Sequence, residues 1–406
     1  VSYWTNYSIG ASTTLKACDT LNKANTVYTL TKSVSTTGTC FIVSANNVTL
    51  DLNGYNITGD APSEASGVED YGVKITDYND STVKNGRIYD FGRGIGSFNA
   101  SRGTFNNVTI KAVGFSNLVG IKNIYGIYID GGSNNTVSQS NISGSNNQDV
   151  DGGISAGIYL LSTSDNDIID NNFNSHISQE QSGRGILAST AANNNLIENN
   201  TANSNDAHGI LIQGNNNTIR NNTFNSNSKN SILVSGGEDN LFVRNTISSS
   251  GNSALYLITA GSRNNTFNNI TISNTNSNYY DLQFASAGIN ETYLVDMHSI
   301  MNYTFTGIGG MVIFRDTTFG EIRFLSAING SGTNLTRDVR LLNNSATVRS
   351  DLNIGLNKSA NVTFYNLQTN FVTPEMKRDG VACPSTVCYN FTSLNAGTVK
   401  FNVTAW

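Results

Sequence analysis

The chain is poor in charge. Of 406 residues, 24 are Lys or Arg and 29 are Asp or Glu, for a net charge of −5. Nucleic acid and anionic lipid both require a basic patch on their partner, so this balance excludes them. No run reaches the roughly 18 apolar residues of a membrane-spanning helix, and the amino terminus lacks the charged, apolar and small-residue order of a secretion signal. The chain reads as a mature form starting at Val1. Helical periodicity is missing as well, because apolar residues come in short runs rich in Ile, Val, Leu, Thr and aromatics, parted by Gly, Asn and Ser. Short strands are the element that remains.

Cysteine and histidine are scarce too. The four cysteines form two local couples, Cys18 with Cys40 and Cys383 with Cys388. In a chain of this composition they read as disulfides, and hence as a mark of an oxidising compartment. A metal site at Cys383-x-x-x-x-Cys388 is disfavoured because no further Cys or His accompanies it. His176, His208 and His298 are far apart, and a solvated or corner histidine is preferred over a general base at each.

What the chain does have is a repeat. The phrases Gly126-Ile-Tyr-Ile, Gly157-Ile-Tyr-Leu, Gly185-Ile-Leu-Ala, Gly209-Ile-Leu-Ile, Ser231-Ile-Leu-Val and Ala254-Leu-Tyr-Leu start 31, 28, 24, 22 and 23 residues apart. A second phrase follows the later ones, as in Asn195-Leu-Ile-Glu-Asn-Asn-Thr and Asn217-Thr-Ile-Arg-Asn-Asn-Thr-Phe. A unit of this length with strands and no helix cannot bury its apolar side chains alone. Stacked on a copy about 4.8 Å away, it buries Ile on Ile and pairs its backbone with the next coil. Asn suits the corners, since it tolerates left-handed backbone and its amide can bond to the equivalent amide one rung along. The expected fold is all-β: a right-handed parallel β-helix followed by a small antiparallel domain of sandwich type.

The Gly-Ile-x-Leu and Asn-x-Ile-x-x-Asn-Asn pattern resembles the β-helix repeats of carbohydrate-binding proteins and sugar hydrolases, over about residues 40–290. Two flanking segments resemble large secreted Asn/Ser/Thr-rich β-helix surface proteins of uncultured archaea. One is Cys18–Gly59, with Gly38-Thr-Cys-Phe-Ile-Val and Asn47-Val-Thr-Leu-Asp-Leu-Asn-Gly-Tyr. The other is Leu356–Thr404, with Asn361-Val-Thr-Phe-Tyr and Asp379-Gly-Val-Ala-Cys. The resemblance implies a place outside the cell more than a chemistry. Pectin-type hydrolases of this fold resemble one another in an Asp-Asp pair, a Gly-His-Gly and an Arg-x-Lys. Here the nearest echo is Ala207-His208-Gly209, and the other two motifs are absent.

The organisation read from these signals is an amino-terminal cap over 1–40, a β-helix over 41–291 with its regular part at 121–285, and an antiparallel domain over 292–406. The densest carboxylates, Asp149, Asp151, Asp165 and Asp167, with Asp170 and Glu180 nearby, are read first as plain turn residues. A structural Ca2+ site is the second reading, with no other cofactor expected, and a glycosidase-like carboxylate pair is the third. Alternation places Ile127 and Ile129 inward and residues 126 and 128 outward. Tyr128, Tyr159, Leu187, Leu211, Leu233 and Tyr256 then form an outward apolar strip about 25 Å long, with the small residues beside it, and such a strip is expected at a contact.

Among 62 Asn, 22 stand in Asn-x-Ser/Thr sequons. The best acceptors outside the repeat core are Asn290, Asn302, Asn329, Asn334, Asn343, Asn357, Asn361, Asn390 and Asn402, with Asn6, Asn47 and Asn56 as further candidates near the start. The reading placed first is a glycosylated extracellular or cell-surface structural protein, an adhesin or filament subunit whose partner is itself or a surface glycan. A β-helix that binds or cleaves polysaccharide is the alternative. The sequons predict that the native protein weighs more than the bare 43.5 kDa. An intact mass equal to the bare chain would make them compositional accident.

Overall fold

A computed structural model describes residues 11–60, 70–111, 123–144, 146–147, 153–178, 182–259, 261–273, 275–285, 291–306 and 311–406. The chain divides into two compact units, Val1–Ala207 and His208–Trp406.

In the first unit, one sheet stacks Asp19–Leu21, Phe41–Val43, Tyr71–Thr76, Arg93–Phe98, Ile124–Asp130, Ser155–Leu161 and Gly183–Ala188, every pair parallel. Each coil then adds two more strand segments. Thr82–Tyr89 pairs with Val48–Asp51 along one half and with Asn56–Thr58 along the other, bending at Asn85 (φ 59°). Equivalent side chains lie directly over one another. Val73, Ile95, Ile127, Ile158 and Ile186 make one column, Val83, Phe105, Val137 and Ile168 a second, and Ile110, Ile142 and Phe173 a third, all fully buried. The expected cap over 1–40 is not what the described part of that segment forms: Ala11–Leu15 already pairs in parallel with Thr26–Leu30, so coils begin by residue 11.

The corners divide labour within four of the Asn-Asn doublets. The first residue takes the left-handed backbone, as at Asn134 (φ 58°), Asn199 (55°), Asn216 (56°) and Asn221 (55°). The second turns its amide inward. Asn135 Nδ2 donates to Asn166 Oδ1 at 3.1 Å, and Asn166 Nδ2 to Asn195 Oδ1 at 2.7 Å, while the backbone N–H of each lower residue bonds the same oxygen. A second ladder links Asn171 to Asn200 at 3.1 Å. In the other unit Asn217, Asn240 and Asn265 repeat the device at 3.1 Å per step, and Asn222 meets Asn245 at 3.0 Å. These amides are at most 1% exposed, where an unsatisfied polar group costs about 1–3 kcal/mol.

The glycine column departs from the expected outward placement. A Cβ on Gly126 would lie 2.1 Å from Ile142 Cγ2 and 2.7 Å from the Gly157 carbonyl; Gly72 and Gly94 meet Ile88 and Ile110 in the same way. Glycine therefore faces the core, where the first sheet passes close to the third column, and the strict alternation is broken at that residue. Adding even one methyl group there overpacks the site, at about 1–3 kcal/mol.

In the second unit His208–Ile212, Ile232–Ser235, Leu255–Ile258, Leu282–Phe284 and Tyr303–Phe305 stack in parallel. Beside them run Thr218–Arg220, Leu241–Val243, Thr266–Asn268, Thr292–Val295 and Val312–Asp316. Parallel coils thus continue to Asp316, past the expected boundary at 291. The chain reverses only at Gly320–Phe324, which pairs antiparallel with Val312–Asp316 and with Ala360–Phe364. Val399–Val403 and Cys388–Asn390 follow on the same sheet. The described antiparallel strands are this sheet, the strand Gly330–Gly332 and two small hairpins. Phenylalanine rings line the interior from Phe242 and Phe267, stacked at 4.7 Å, on to Phe314 and Phe324.

Both cysteine couples are disulfides. Cys18 and Cys40 precede strands that are direct neighbours, Asp19 opposite Phe41, so the bond joins two successive coils. Closing a loop of 22 residues removes chain entropy from the unfolded state, a stabilisation of about 3 kcal/mol.

One histidine occupies an asparagine corner. His176 is fully buried, its backbone N–H donating to Asn205 Oδ1 at 3.1 Å. Its Nε2 lies 3.2 Å from the Ile142 carbonyl, and Nδ1 has no partner among the described residues. Burial pushes its pKa down from 6.5 to about 3. The folded state therefore holds the ring neutral while the unfolded state takes up a proton below pH 6.5. Stability is full above 6.5 and falls by about 1.4 kcal/mol per pH unit as pH drops towards 3. His176→Asn, which restores the corner residue, should flatten the melting temperature between pH 6 and 4. Parallel losses in wild type and variant would show that other groups govern the acid response.

Candidate functional site

The outward face of the first unit's first sheet carries a cluster of aromatic and charged side chains. Register sets three columns: Tyr71, Arg93, Tyr125, Ala156 and Arg184; Lys74, Gly96, Tyr128, Tyr159 and Leu187; and Thr76, Phe98, Asp130 and Leu161. The residue before each glycine and the residue after each core Val or Ile share this face, because the glycine and the following Val or Ile both turn inward.

Arg93 holds the face together. Its guanidinium lies 4.5 Å from the Tyr128 ring centroid and 5.5 Å from those of Tyr71 and Tyr125, and Nη1 donates to the Tyr71 hydroxyl at 2.7 Å. Delocalised charge over aromatic faces is a favourable, weakly hydrated arrangement. Tyr125 stacks on Tyr128 at 5.3 Å and meets Tyr159 edge-on at 5.1 Å; Phe98 meets Tyr128 at 5.5 Å. Gly96 leaves the room required, since a Cβ there would come within 2.5 Å of Tyr71 Cε1. Lys74 Nζ stands 5.2 Å over the Tyr71 ring.

Protonation follows from burial. Desolvation pushes the Tyr125 and Tyr128 phenols far up, and Asp130, which accepts the Tyr128 hydroxyl at 3.1 Å, adds to the second. Tyr159 is raised mainly by burial, then by Asp130. Arg184 is lowered by desolvation, with Tyr125, Asp206 and Tyr159 opposing. The phenols are therefore hydroxyl donors at neutral pH. Tyr71, Arg93, Tyr125 and Tyr128 are buried, at 3%, 8%, 2% and 7% exposure, whereas Lys74, Phe98, Asp130, Tyr159, Leu161 and Arg184 form a half-buried rim. The rim offers ring faces, two cations and one carboxylate, a set suited to a polyhydroxylated ligand.

The other sequence-derived candidates fall as follows. Leu187, Leu211 and Leu233 are 4%, 7% and 7% exposed within the single chain, and Tyr256 is half-buried. The second unit's column runs Leu211, Leu233, Tyr256, Gln283, Thr304, turning polar at its far end. Asp149 and Asp151 lie outside the described residues, as do Asn6 and Asn290. Asp165 has φ 56° and accepts the Ser164 hydroxyl at 2.7 Å, a turn position, whereas Asp167 is exposed as the first residue of a strand. Of the sequons, Asn329, Asn343 and Asn390 are exposed, but Asn390 Nδ2 donates to the Thr392 carbonyl. Asn47 and Asn402 are similarly engaged, through Asn25 and through Ala360 and Asn361. Asn56, Asn302, Asn334, Asn357 and Asn361 are half-buried. Sequence reasoning missed Tyr71, Lys74, Arg93, Phe98 and Tyr125; the aromatic or Arg immediately before each glycine was the available signal.

No curated protein matches the chain. Solved structures similar to it include the Dettilon tailspike protein, with 12% identity and TM-score 0.49 over 84% of this chain and 71% of that one. An alginate lyase from Paenibacillus sp. shows 15% identity and TM-score 0.46 over 65% of this chain and 97% of its own. A hyperthermoactive exopolygalacturonase from Thermotoga maritima shows 12% and 0.48 over 78% and 87%. None is close enough to transfer a residue's role. The family model described as right handed beta helix region matches residues 114–247 and 156–369, more than half of the chain. That match, on coils whose parallel register and asparagine corners are seen directly, makes the chain a member of the right-handed β-helix family.

Proposed function

We propose that the protein is an extracellular β-helix that binds polysaccharide along the outward face of its first unit. The observation that carries this reading is the Arg93-centred cluster of Tyr71, Tyr125 and Tyr128, which holds Phe98 and Tyr159 at a rim flanked by Lys74, Asp130 and Arg184. Sugar rings stack on aromatic faces while their hydroxyls take up polar rim groups. Two disulfides support the extracellular placement. The burial of Leu187, Leu211 and Leu233 within the chain leaves the strip little apolar area to offer a second copy, which moves the scaffold reading to second place. That reading keeps one support in the second unit, where Ile354, Val372, Val381, Tyr389 and Phe391 are 77%, 96%, 68%, 61% and 54% exposed.

Affinity electrophoresis through gels containing defined polysaccharides tests the first reading. Phe98→Ala and Tyr159→Ala should each weaken retardation about five- to thirtyfold, the 1–2 kcal/mol of one aromatic contact. Unchanged retardation in both variants, or none for wild type in any gel, would remove it. Sedimentation at rising concentration addresses the second reading: Val372→Ser with Phe391→Ser should lower any self-association, and a strictly monomeric wild type rules it out.

A further inference from the structure

We propose that Asp296, His298 and Asp316, in the second unit, bind a divalent transition-metal ion, Zn2+ by the chemistry of the donors. This goes beyond the saccharide reading and does not depend on it. Parallel register makes the cluster: Thr292–Val295 lies against Val312–Asp316 with Val295 opposite Arg315, and the Asp296 N–H bonds the Arg315 carbonyl at 2.9 Å. The two aspartates therefore end adjacent rungs. At Asp296 the backbone turns left-handed (φ 50°), and His298 follows two residues on. One ligand atom from each of the three side chains lies within 4.8 Å of the other two. An ion about 2.1 Å from each donor spans at most about 4.2 Å between them, within reach of small side-chain rotations.

The surroundings hold the donors in place. Thr317 donates its N–H to Asp296 Oδ1 at 2.9 Å and its hydroxyl to Oδ2 at 2.8 Å. Asp316 Oδ1 accepts the N–H groups of Thr318 and Phe319 at 2.9 and 3.0 Å, and no described bond engages its Oδ2. The Thr336 hydroxyl donates to the His298 carbonyl at 3.2 Å. Such outer bonds fix ligating carboxylates and loops in metal sites. Among the described residues no ion pair engages either aspartate, and the nearby Arg315 is paired with Glu321.

An imidazole with two carboxylates suits Zn2+ over Ca2+ or Mg2+, which take oxygen ligands in larger number. Three protein ligands leave a position open, and the three residues also line a cavity of about 250 Å3 with Leu335, Thr336 and Arg340. The test is calorimetric titration of the chelator-stripped full chain with Zn2+, Ca2+ and Mg2+. One Zn2+ per chain is expected, with a raised melting temperature, and Ca2+ and Mg2+ should bind at least tenfold more weakly. His298→Ala, at an exposed residue, and Asp316→Asn should each cost at least tenfold in Zn2+ affinity while leaving the metal-free melting temperature in place. Absence of Zn2+ binding overturns the proposal, and so does Zn2+ binding that survives both substitutions unchanged. Preferential Ca2+ binding that ignores His298→Ala overturns it equally.

Discussion

Everything in this protein depends on one coil lying in register on the next. A single coil of two dozen residues has three short strands and no interior of its own, so its Ile, Val and Phe side chains find burial only against their equivalents above and below. Backbone pairing alone does not choose the register, because a parallel strand slipped by one residue still makes its hydrogen bonds. The asparagine ladders do choose. Asn166 Oδ1 receives both the N–H and the amide of Asn135, and Asn195 Oδ1 receives both from Asn166. A slip would push these amides into the isoleucine columns without partners. The Cys18–Cys40 bond acts in the same sense between two early coils, where ladders of buried asparagine are not yet in place.

The repeat, the parallel class and the corner role of asparagine were legible because each is written at every rung. Both disulfides were legible because their partners are local, and the 22-residue separation of Cys18 and Cys40 is itself one coil. Other features were not legible, for stated physical reasons. Alternation places Gly126 outward, but a residue without Cβ can sit where the chain meets the third column, and only the position of Ile142 reveals that it does. Runs such as Met311-Val-Ile-Phe look alike whether their neighbour is parallel or antiparallel, so the end of the coils at Asp316 could not be read from pattern. The cap over 1–40 failed similarly, since Val27-Tyr-Thr-Leu is as good a coil strand as it is a cover.

Sites suffered more than fold. Tyr71, Arg93 and Tyr125 are 22 and 32 residues apart in sequence and adjacent in space because parallel register sets each one over the next. Asp296 and Asp316 likewise meet because their strands pair in parallel register. A solenoid writes its core once per rung and its sites across rungs, so a reading that knows the period approximately recovers the first and not the second.

The buried and exposed parts of the aromatic face have different work. Arg93, at 8% exposure, has its guanidinium against three phenol rings and donates to one of them, so its charge is spent inside the protein. Replacing it with Lys would keep the charge and lose the planar stacking that spaces the rings. Phe98 and Tyr159 still present area to solvent, and Lys74, Asp130 and Arg184 stand beside them. That half-buried rim places ring faces and charges of both signs within one sheet. The contact with a ligand is therefore made by the rim, and the four buried residues act on it only by fixing where the rim stands.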